Sequence, residues 1–340
     1  MNKVIIIAEA GVNHNGDMSI AKKLIDAAVD AEVDYVKFQS FKASNLVSPY
    51  AKKAEYQIKN TSNDDTSQLG MLKKLELSHD DHIELMSYCK QKKINFLSTA
   101  FDTQGVKYLD KLGLDLFKIP SGEITNFPYL REIALTGKPI ILSTGMSTIN
   151  DISNALDVFK KYGLNRKEIV VLHCNTEYPT PMNDVNLKAM LTIGNTFNVH
   201  VGYSDHTLGI EVPIAAVAMG ATVIEKHFTL DKTLSGPDHA ASLEPAELKE
   251  MVKSIRNIEA TISGDGLKKP SESEMKNIVI ARKSIHLSKD LPAGSIISEK
   301  DIIPLRPGDG ICSMNWEDII GKRLNKNLKK YSKLKLSDFL

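Results

Sequence analysis

Between residues 4 and about 262 the chain alternates short apolar, β-branched runs with amphipathic helical stretches, and it does so eight times. The runs that read as strands are 4–9, 35–39, 95–99, 116–119, 139–144, 169–174, 200–204 and 222–227. Most are apolar nearly throughout, as strands of a parallel sheet covered on both faces must be. The helical periodicity falls on 18–31, 79–92, 104–112, 129–135, 149–162, 185–193, 209–219 and 245–262. Asp17, Ser78, Asp102 and Thr148 stand where N-caps belong. Eight such units in this length predict an α/β fold, a closed (β/α)8 TIM barrel. An open doubly wound sheet is the alternative. It usually carries a glycine-rich phosphate fingerprint after its first strand, and here that strand runs into Asn13-His14-Asn15-Gly16.

Two stretches depart from the alternation. Residues 40–78 form an unusually long loop, the kind that is functional or disordered in compact domains, and its polar patch 60–67 reads as mobile. After Ser263-Gly264-Asp265-Gly266 a polar connector leads to a segment punctuated by Leu291-Pro292-Ala293-Gly294, Pro304 and Arg306-Pro307-Gly308-Asp309-Gly310. This predicts a small β-rich C-terminal domain. The expected boundaries are 1–266 for the barrel, 267–281 for the linker and 282–340 for the small domain.

Composition narrows the function classes. With 43 basic and 42 acidic residues the formal charge is +1, so no whole-chain field favours nucleic acid, and Lys322–Lys335 reads as a solvated basic face. The longest charge-free apolar stretch, 212–224, is too short to span a bilayer. The first strand meets Glu9 at once and reads as core, not as a signal peptide. Three cysteines with no metal spacing suit free thiols in a cytoplasmic protein.

Enzymes of this architecture build their sites at the C-terminal ends of the strands. Here nearly every strand ends in a polar side chain: Glu9; Lys37 and Gln39; Ser98 and Thr99; Lys118, with Ser121 and Glu123 beyond; Ser143 and Thr144; His173, with Asn175 and Tyr178 following; Ser204, Asp205 and His206; Glu225, Lys226 and His227. Lys37 and Lys118 supply point charges, and Thr99, Ser121, Ser143 and Ser204 neutral donors, a set suited to a small anion with more than one charged group. The competing reading pairs these lysines with carboxylates inside the mouth. His206 and His227 end adjacent strands, and two imidazoles on rigid strands suit a first-row divalent metal such as manganese. His14 and His239 read as structural. Glu123, beside Gly122, is a candidate general base on water, with Glu9 the second candidate.

Several segments together resemble the sialic acid synthase family: Ile7-Ala8-Glu9-Ala10-Gly11-Val12-Asn13-His14-Asn15-Gly16, Val36-Lys37-Phe38-Gln39, Lys118-Ile119-Pro120-Ser121-Gly122-Glu123, His173-Cys174-Asn175-Thr176-Glu177-Tyr178-Pro179, Gly202-Tyr203-Ser204-Asp205-His206 and Glu225-Lys226-His227-Phe228. Ser235-Gly236-Pro237-Asp238-His239 and Arg306-Pro307-Gly308-Asp309-Gly310 continue the match in order. The resemblance implies a barrel with an antifreeze-like (SAF) C-terminal domain, swapped between the two chains of a homodimer. It implies metal-dependent condensation of phosphoenolpyruvate with N-acetylmannosamine and water to N-acetylneuraminate and phosphate, by C–O cleavage. A diacetamido-dideoxy hexose, giving legionaminic acid, is the alternative acceptor.

By the same resemblance Lys37, Thr99, Lys118, Ser121, Ser143 and Ser204 hold phosphoenolpyruvate, with Asn175 and Thr176 both candidates for one further contact. His206 and His227 hold the metal, Mn2+ first, with Mg2+ or Co2+ also admitted. Glu9, Gln39, Glu123, Tyr178 and Asp238 face the sugar or the reacting centre, and Arg306 reaches the sugar from the partner subunit. Two competing classes are weighed. One is a metal-independent aldolase using Lys226 or Lys118 as a Schiff base, which needs a depressed lysine pKa. The other is a sugar- or ice-binding scaffold led by the C-terminal domain, against which the ring of strand-end polar groups argues.

Overall fold

The structure is a computed structural model that describes residues 3–61 and 67–340, and it divides into two units, Met1–Ser263 and Gly264–Leu340. The first holds eight parallel strands: β1 (Ile5–Gly11), β2 (Tyr35–Ser40), β3 (Asn95–Ala100), β4 (Phe117–Ile119), β5 (Ile140–Ser143), β6 (Ile169–Cys174), β7 (His200–Asp205) and β8 (Val223–His227). They hydrogen-bond in the order β3-β2-β1-β8-β7-β6-β5-β4, and β3 also lies against β4, so the sheet curls into a nearly closed barrel. At that seam the fully buried Tyr129 donates its hydroxyl to Ala100 O at 2.8 Å.

The four N-caps sit as expected. Asp17 accepts from Ser19 N and Ile20 N, Asp102 accepts from Gly105 N, and Ser78 and Thr148 form capping boxes with Asp81 and Asp151. One helix is displaced, running Lys188–Phe197 where 185–193 was expected. A 3-10 turn at Met182–Asp184 comes just before, and Asn186 in the left-handed region (φ 45°) falls within the expected range, so the helix starts only at Lys188.

The 40–78 segment also differs from expectation. It carries short helices at Ala43–Leu46, Glu55–Thr61 and Gln68–Lys73, and Phe41, Met71 and Leu75 pack with Val12 into a small apolar cluster. Of the polar patch 60–67, residues 62–66 lie outside the described residues.

Chain start and barrel end are tied together. Ile5 pairs with Val223 and Glu9 with His227 across β1 and β8. At the other end of β1, Arg256 donates to Val4 O at 2.8 Å and to Asp34 at 2.8 Å, while Asp34 accepts from Ile6 N at 2.9 Å.

The second unit contains a helix, Glu272–Ala281, within the predicted connector, and an antiparallel pair, β9 (Ser284–Leu287) and β10 (Ile302–Leu305). Its own core includes Ile285, Leu287, Ile297, Ile302, Ile319, Leu324 and Leu334. Among the described residues no helix is long and apolar enough to cross a membrane.

Candidate active site

Side chains alternate along a strand, and this decides which strand-end groups meet inside the barrel. On β8, Glu225 and His227 line a cavity of about 440 Å3 at the C-terminal mouth, while Lys226 between them does not. On β2, Lys37 and Gln39 line it and Phe38 packs outside with the core. The β1 register slips between Glu9 and Gly11, a bulge of the kind that re-aims side chains beside active sites. Gly11 has φ +53°, and a Cβ there would stand 3.2 Å from Glu9 Oε1 and 3.5 Å from His227 Cε1, so glycine serves both the backbone and the close approach.

The cavity floor is a buried charge network. Lys37 Nζ lies 2.6 Å from Glu9 Oε2 and 3.5 Å from Glu225 Oε2, and it donates to Thr99 Oγ1 at 3.2 Å. Lys118 Nζ lies 2.8 Å from Glu225 Oε1, which also accepts from Ser204 Oγ at 3.0 Å. The competing reading of the lysines is thus what the structure contains: each is paired with a carboxylate. Burial raises Glu9, more than the Lys37 ammonium beside it lowers it. Burial acts against ionised Glu225 as well, but Lys118 and Lys37 overcome it and hold Glu225 well below the usual carboxylate range. Lys37 is raised, because Glu225 and Glu9 outweigh its burial. Ser143 Oγ is buried in the same cavity with no hydrogen-bond partner.

Beyond this floor, the rings of His206 and His227 stand 5.4 Å apart, with Tyr178 4.1 Å from His206 and 5.7 Å from His227. His206 donates its Nδ1 proton to Asn175 O, which fixes the tautomer and leaves Nε2 as an acceptor. His227 Nδ1 is buried without a hydrogen-bond partner, 3.9 Å from Asp238 Oδ2. Burial lowers His206 to about 4 and His227 well below its ordinary value, so both rings are neutral, the form that ligates metals. Among the described residues no three His, Cys, Asp or Glu side chains converge as a full metal shell. Two neutral imidazoles, one with an orphaned buried nitrogen, fit a divalent ion whose other positions go to water or substrate. Burial, with Glu9 nearby, raises Asp238 to about 7.

Glu123 also lines the cavity, half-buried and raised by that burial, with Asn126 donating to it at 2.6 Å. Ser121 accepts from Gly145 N at 2.9 Å. Val12, Leu46, Val47, Met71, Leu72, Leu75 and Phe101 form an apolar wall of the cavity.

Fourteen expected site residues therefore meet in one cavity: Glu9, Lys37, Gln39, Thr99, Lys118, Ser121, Glu123, Ser143, Thr176, Tyr178, Ser204, His206, His227 and Asp238. Thr176 lines it, whereas Asn175 turns its side chain back to accept from Glu177 N at 2.8 Å. Arg306 lies in the second unit, exposed, with Nε donating to Ala281 O at 2.9 Å. Lys226 is fully buried outside the cavity, bonded to Asp205 and Thr207 O. Glu225 and the apolar wall were not singled out from the sequence. The period-2 step back from His227 was the signal for Glu225, while no local pattern marks the wall.

A (β/α)8 barrel whose mouth gathers an ion-paired floor, two neutral imidazoles and a half-buried carboxylate in one cavity has the architecture of a barrel enzyme. Residues 24–268 match the NeuB family and residues 282–340 the SAF domain. The chain belongs to the NeuB family, among synthases of the sialic acid type. Over 329 residues it is 56% identical to the N,N'-diacetyllegionaminic acid synthase of Campylobacter jejuni, covering 97% of this chain and 98% of that protein. It is 51% identical to the enzyme of the same name from Legionella pneumophila, with coverage of 95% and 91%. The crystal structure of the N-acetylneuraminic acid (sialic acid) synthetase from Leptospira borgpetersenii in complex with citrate superposes with a TM-score of 0.71 at 35% identity, covering 82% of this chain and 90% of that one.

Proposed function

We propose that this chain condenses phosphoenolpyruvate with a diacetamido-dideoxy hexose and water, giving a legionaminic-type acid and phosphate. The observation that carries the choice of acceptor is the similarity of 56% and 51% to two N,N'-diacetyllegionaminic acid synthases, against 35% to the Leptospira sialic acid synthetase. The expectation of N-acetylmannosamine gives way to the alternative on that ground. The apolar wall supports the same reading, since a deoxy methyl and a second acetamido methyl gain from apolar contact where sugar hydroxyls lose.

In this reading Lys37, Thr99, Lys118, Ser121, Ser143, Thr176 and Ser204 bind the phosphate and carboxylate of phosphoenolpyruvate and aim its methylene carbon at the sugar aldehyde. His206 and His227 would hold a divalent ion, Mn2+ first, and such an ion would supply Lewis acidity toward the sugar aldehyde. Gln39, Tyr178 and Asp238 orient the sugar. Glu123 orients and deprotonates the water that adds at carbon 2, its raised pKa bringing it nearer the working pH of a general base. Glu9 holds Lys37 and faces the reacting centre. Phosphate leaves by carbon–oxygen cleavage, its charge met by Lys37 and Lys118. The functional unit is a homodimer in which Arg306 serves the partner's sugar.

A panel of acetamido sugars with phosphoenolpyruvate, read by mass spectrometry, tests this. The diacetamido sugar should give the highest kcat/KM, and an 18O label in the bridging position should leave with phosphate. Preference for N-acetylmannosamine, or label retained in the sugar product, would overturn the corresponding half.

A further inference from the structure

The four ionisable groups on the cavity floor, Glu9, Lys37, Lys118 and Glu225, are each no more than 5% exposed, two acids against two bases. Their contacts are not equivalent. Glu9 engages one lysine, Lys37, at 2.6 Å. Glu225 engages both, Lys118 at 2.8 Å and Lys37 at 3.5 Å, and also takes the Ser204 hydroxyl at 3.0 Å. Lys37, Lys118 and Ser204 are three of the donors that the proposed function gives to phosphoenolpyruvate, and a carboxylate presents the same kind of oxygens as the substrate's own anionic groups. Glu225 stands on β8 between Ile224 and Lys226, both fully buried, so the residue itself is held fast.

We propose that Glu225 is a positioning residue that acts as the internal counter-ion of the anion subsite, and that a phosphate-bearing anion binds by taking Lys37, Lys118 and Ser204 over from it. This rests on the reading of the site as a phosphoenolpyruvate site. Its physical content is twofold. A buried lysine without a partner is strongly destabilising, and Glu225 keeps two of them paired and aimed into the cavity. A negative charge fixed beside the donors also weakens their hold on any oxyanion, so that phosphate can leave after the reaction. Removing that charge gives the floor a formal charge of +1. Phosphate should then bind tighter and leave more slowly.

The test is calorimetric titration of inorganic phosphate into the full-length protein, its Glu225→Gln variant and its Glu225→Asp variant, alongside steady-state kinetics. For Glu225→Gln the phosphate Kd should fall tenfold or more and the KM for phosphoenolpyruvate should fall with it. Its kcat should also fall, because release has become slow. A merely structural loss would lower kcat without tightening either. Glu225→Asp keeps the charge and should keep the phosphate Kd within threefold of the parent. If Glu225→Gln is too unstable to titrate alone, its melting temperature should rise by several degrees in millimolar phosphate, with a much smaller rise in the parent. Unchanged or weaker phosphate binding by Glu225→Gln, no such rescue, or a tenfold tighter Kd for Glu225→Asp would each overturn the counter-ion role. If the parent forms no condensation product, the substrate reading fails, while the phosphate titrations still decide on Glu225.

Discussion

Replacing Lys226 by methionine separates a structural lysine from a catalytic one. Lys226 and Asp205 are both fully buried, with Nζ 2.5 Å from Asp205 Oδ2. Burial raises Asp205 and lowers Lys226, in each case against the pull of the partner. A lowered lysine is what a Schiff-base enzyme needs, so pKa alone favours the aldolase alternative. The geometry does not, because Lys226 lies outside the cavity. Lys226→Met has nearly the same shape but leaves Asp205 buried with only the Thr207 N–H and hydroxyl, at 3.1 and 3.0 Å.

Breaking a buried pair in this way costs about 3–5 kcal/mol. At roughly 2–4 °C per kcal/mol, the barrel should melt on the order of 10 °C lower. The double variant Asp205→Asn/Lys226→Met leaves no charge unpaired and should recover most of the loss, as a pair whose desolvation outweighs its attraction predicts. Circular dichroism melts give the stabilities. Folded Lys226→Met should still turn over, since Lys226 does not line the cavity and has no direct role there. A melting point within 2 °C of the parent refutes the buried-charge reasoning. A folded, inactive Lys226→Met, with a borohydride-trapped adduct at Lys226 in the parent, refutes the structural assignment.

Other outcomes follow from the same geometry. Chelation should abolish turnover, and manganese should restore it. Elemental analysis should find the metal absent from a folded His227→Ala, whereas full activity in metal-free protein removes the metal from the reading. Burial lowers His14, His206 and His239 each to about 4 from an ordinary 6.5. Their contribution to stability is complete above pH 6.5 and is lost as pH falls towards 4, at up to about 1.4 kcal/mol per pH unit for each. Denaturation at stepped pH should show this fall, shallower in His239→Asn, and an equal slope in the variant contradicts it. Mixing Arg306→Ala with Glu123→Gln should restore turnover above either parent if Arg306 serves a partner chain, and verified mixed dimers without activity exclude that role.

Much of the barrel was legible because its signals are local. Strands buried on both faces read as apolar runs, caps such as Ser78 and Thr148 mark helix starts, and period 2 carries polar groups such as His227 to the strand ends. What escaped was set by contacts distant in sequence. The sequence admits a pairing of Lys37 and Lys118 with carboxylates but does not say which, and only the adjacency of β1 and β8 brings Glu9 and Glu225 beside them. Glu225 looked like one strand-end polar group among many, because its importance lies in the donors it shares. The 40–78 segment looked like a loop because its apolar residues pack on Val12 and not on a helical face of their own. The motifs do not choose between the two acceptor sugars, because they belong to the chemistry common to the family and not to the sugar.

The pairing of β1 with β8 has a consequence for synthesis. Ile5 leaves the ribosome more than two hundred residues before its neighbour Val223, and Val4 waits longer still for Arg256. Until β8 joins them, β1–β3 and β4–β7 are separate hydrogen-bonded groups and β1 has a bare edge, and pairing of this sequence separation is slow as well as late. Exposed strand edges are where nascent chains stick to one another. Closure between β1 and β8 therefore has to wait for residues 223–227, and the Arg256 contact for the helix at 245–261. Chain stalled before that point should be prey for chaperones and proteases.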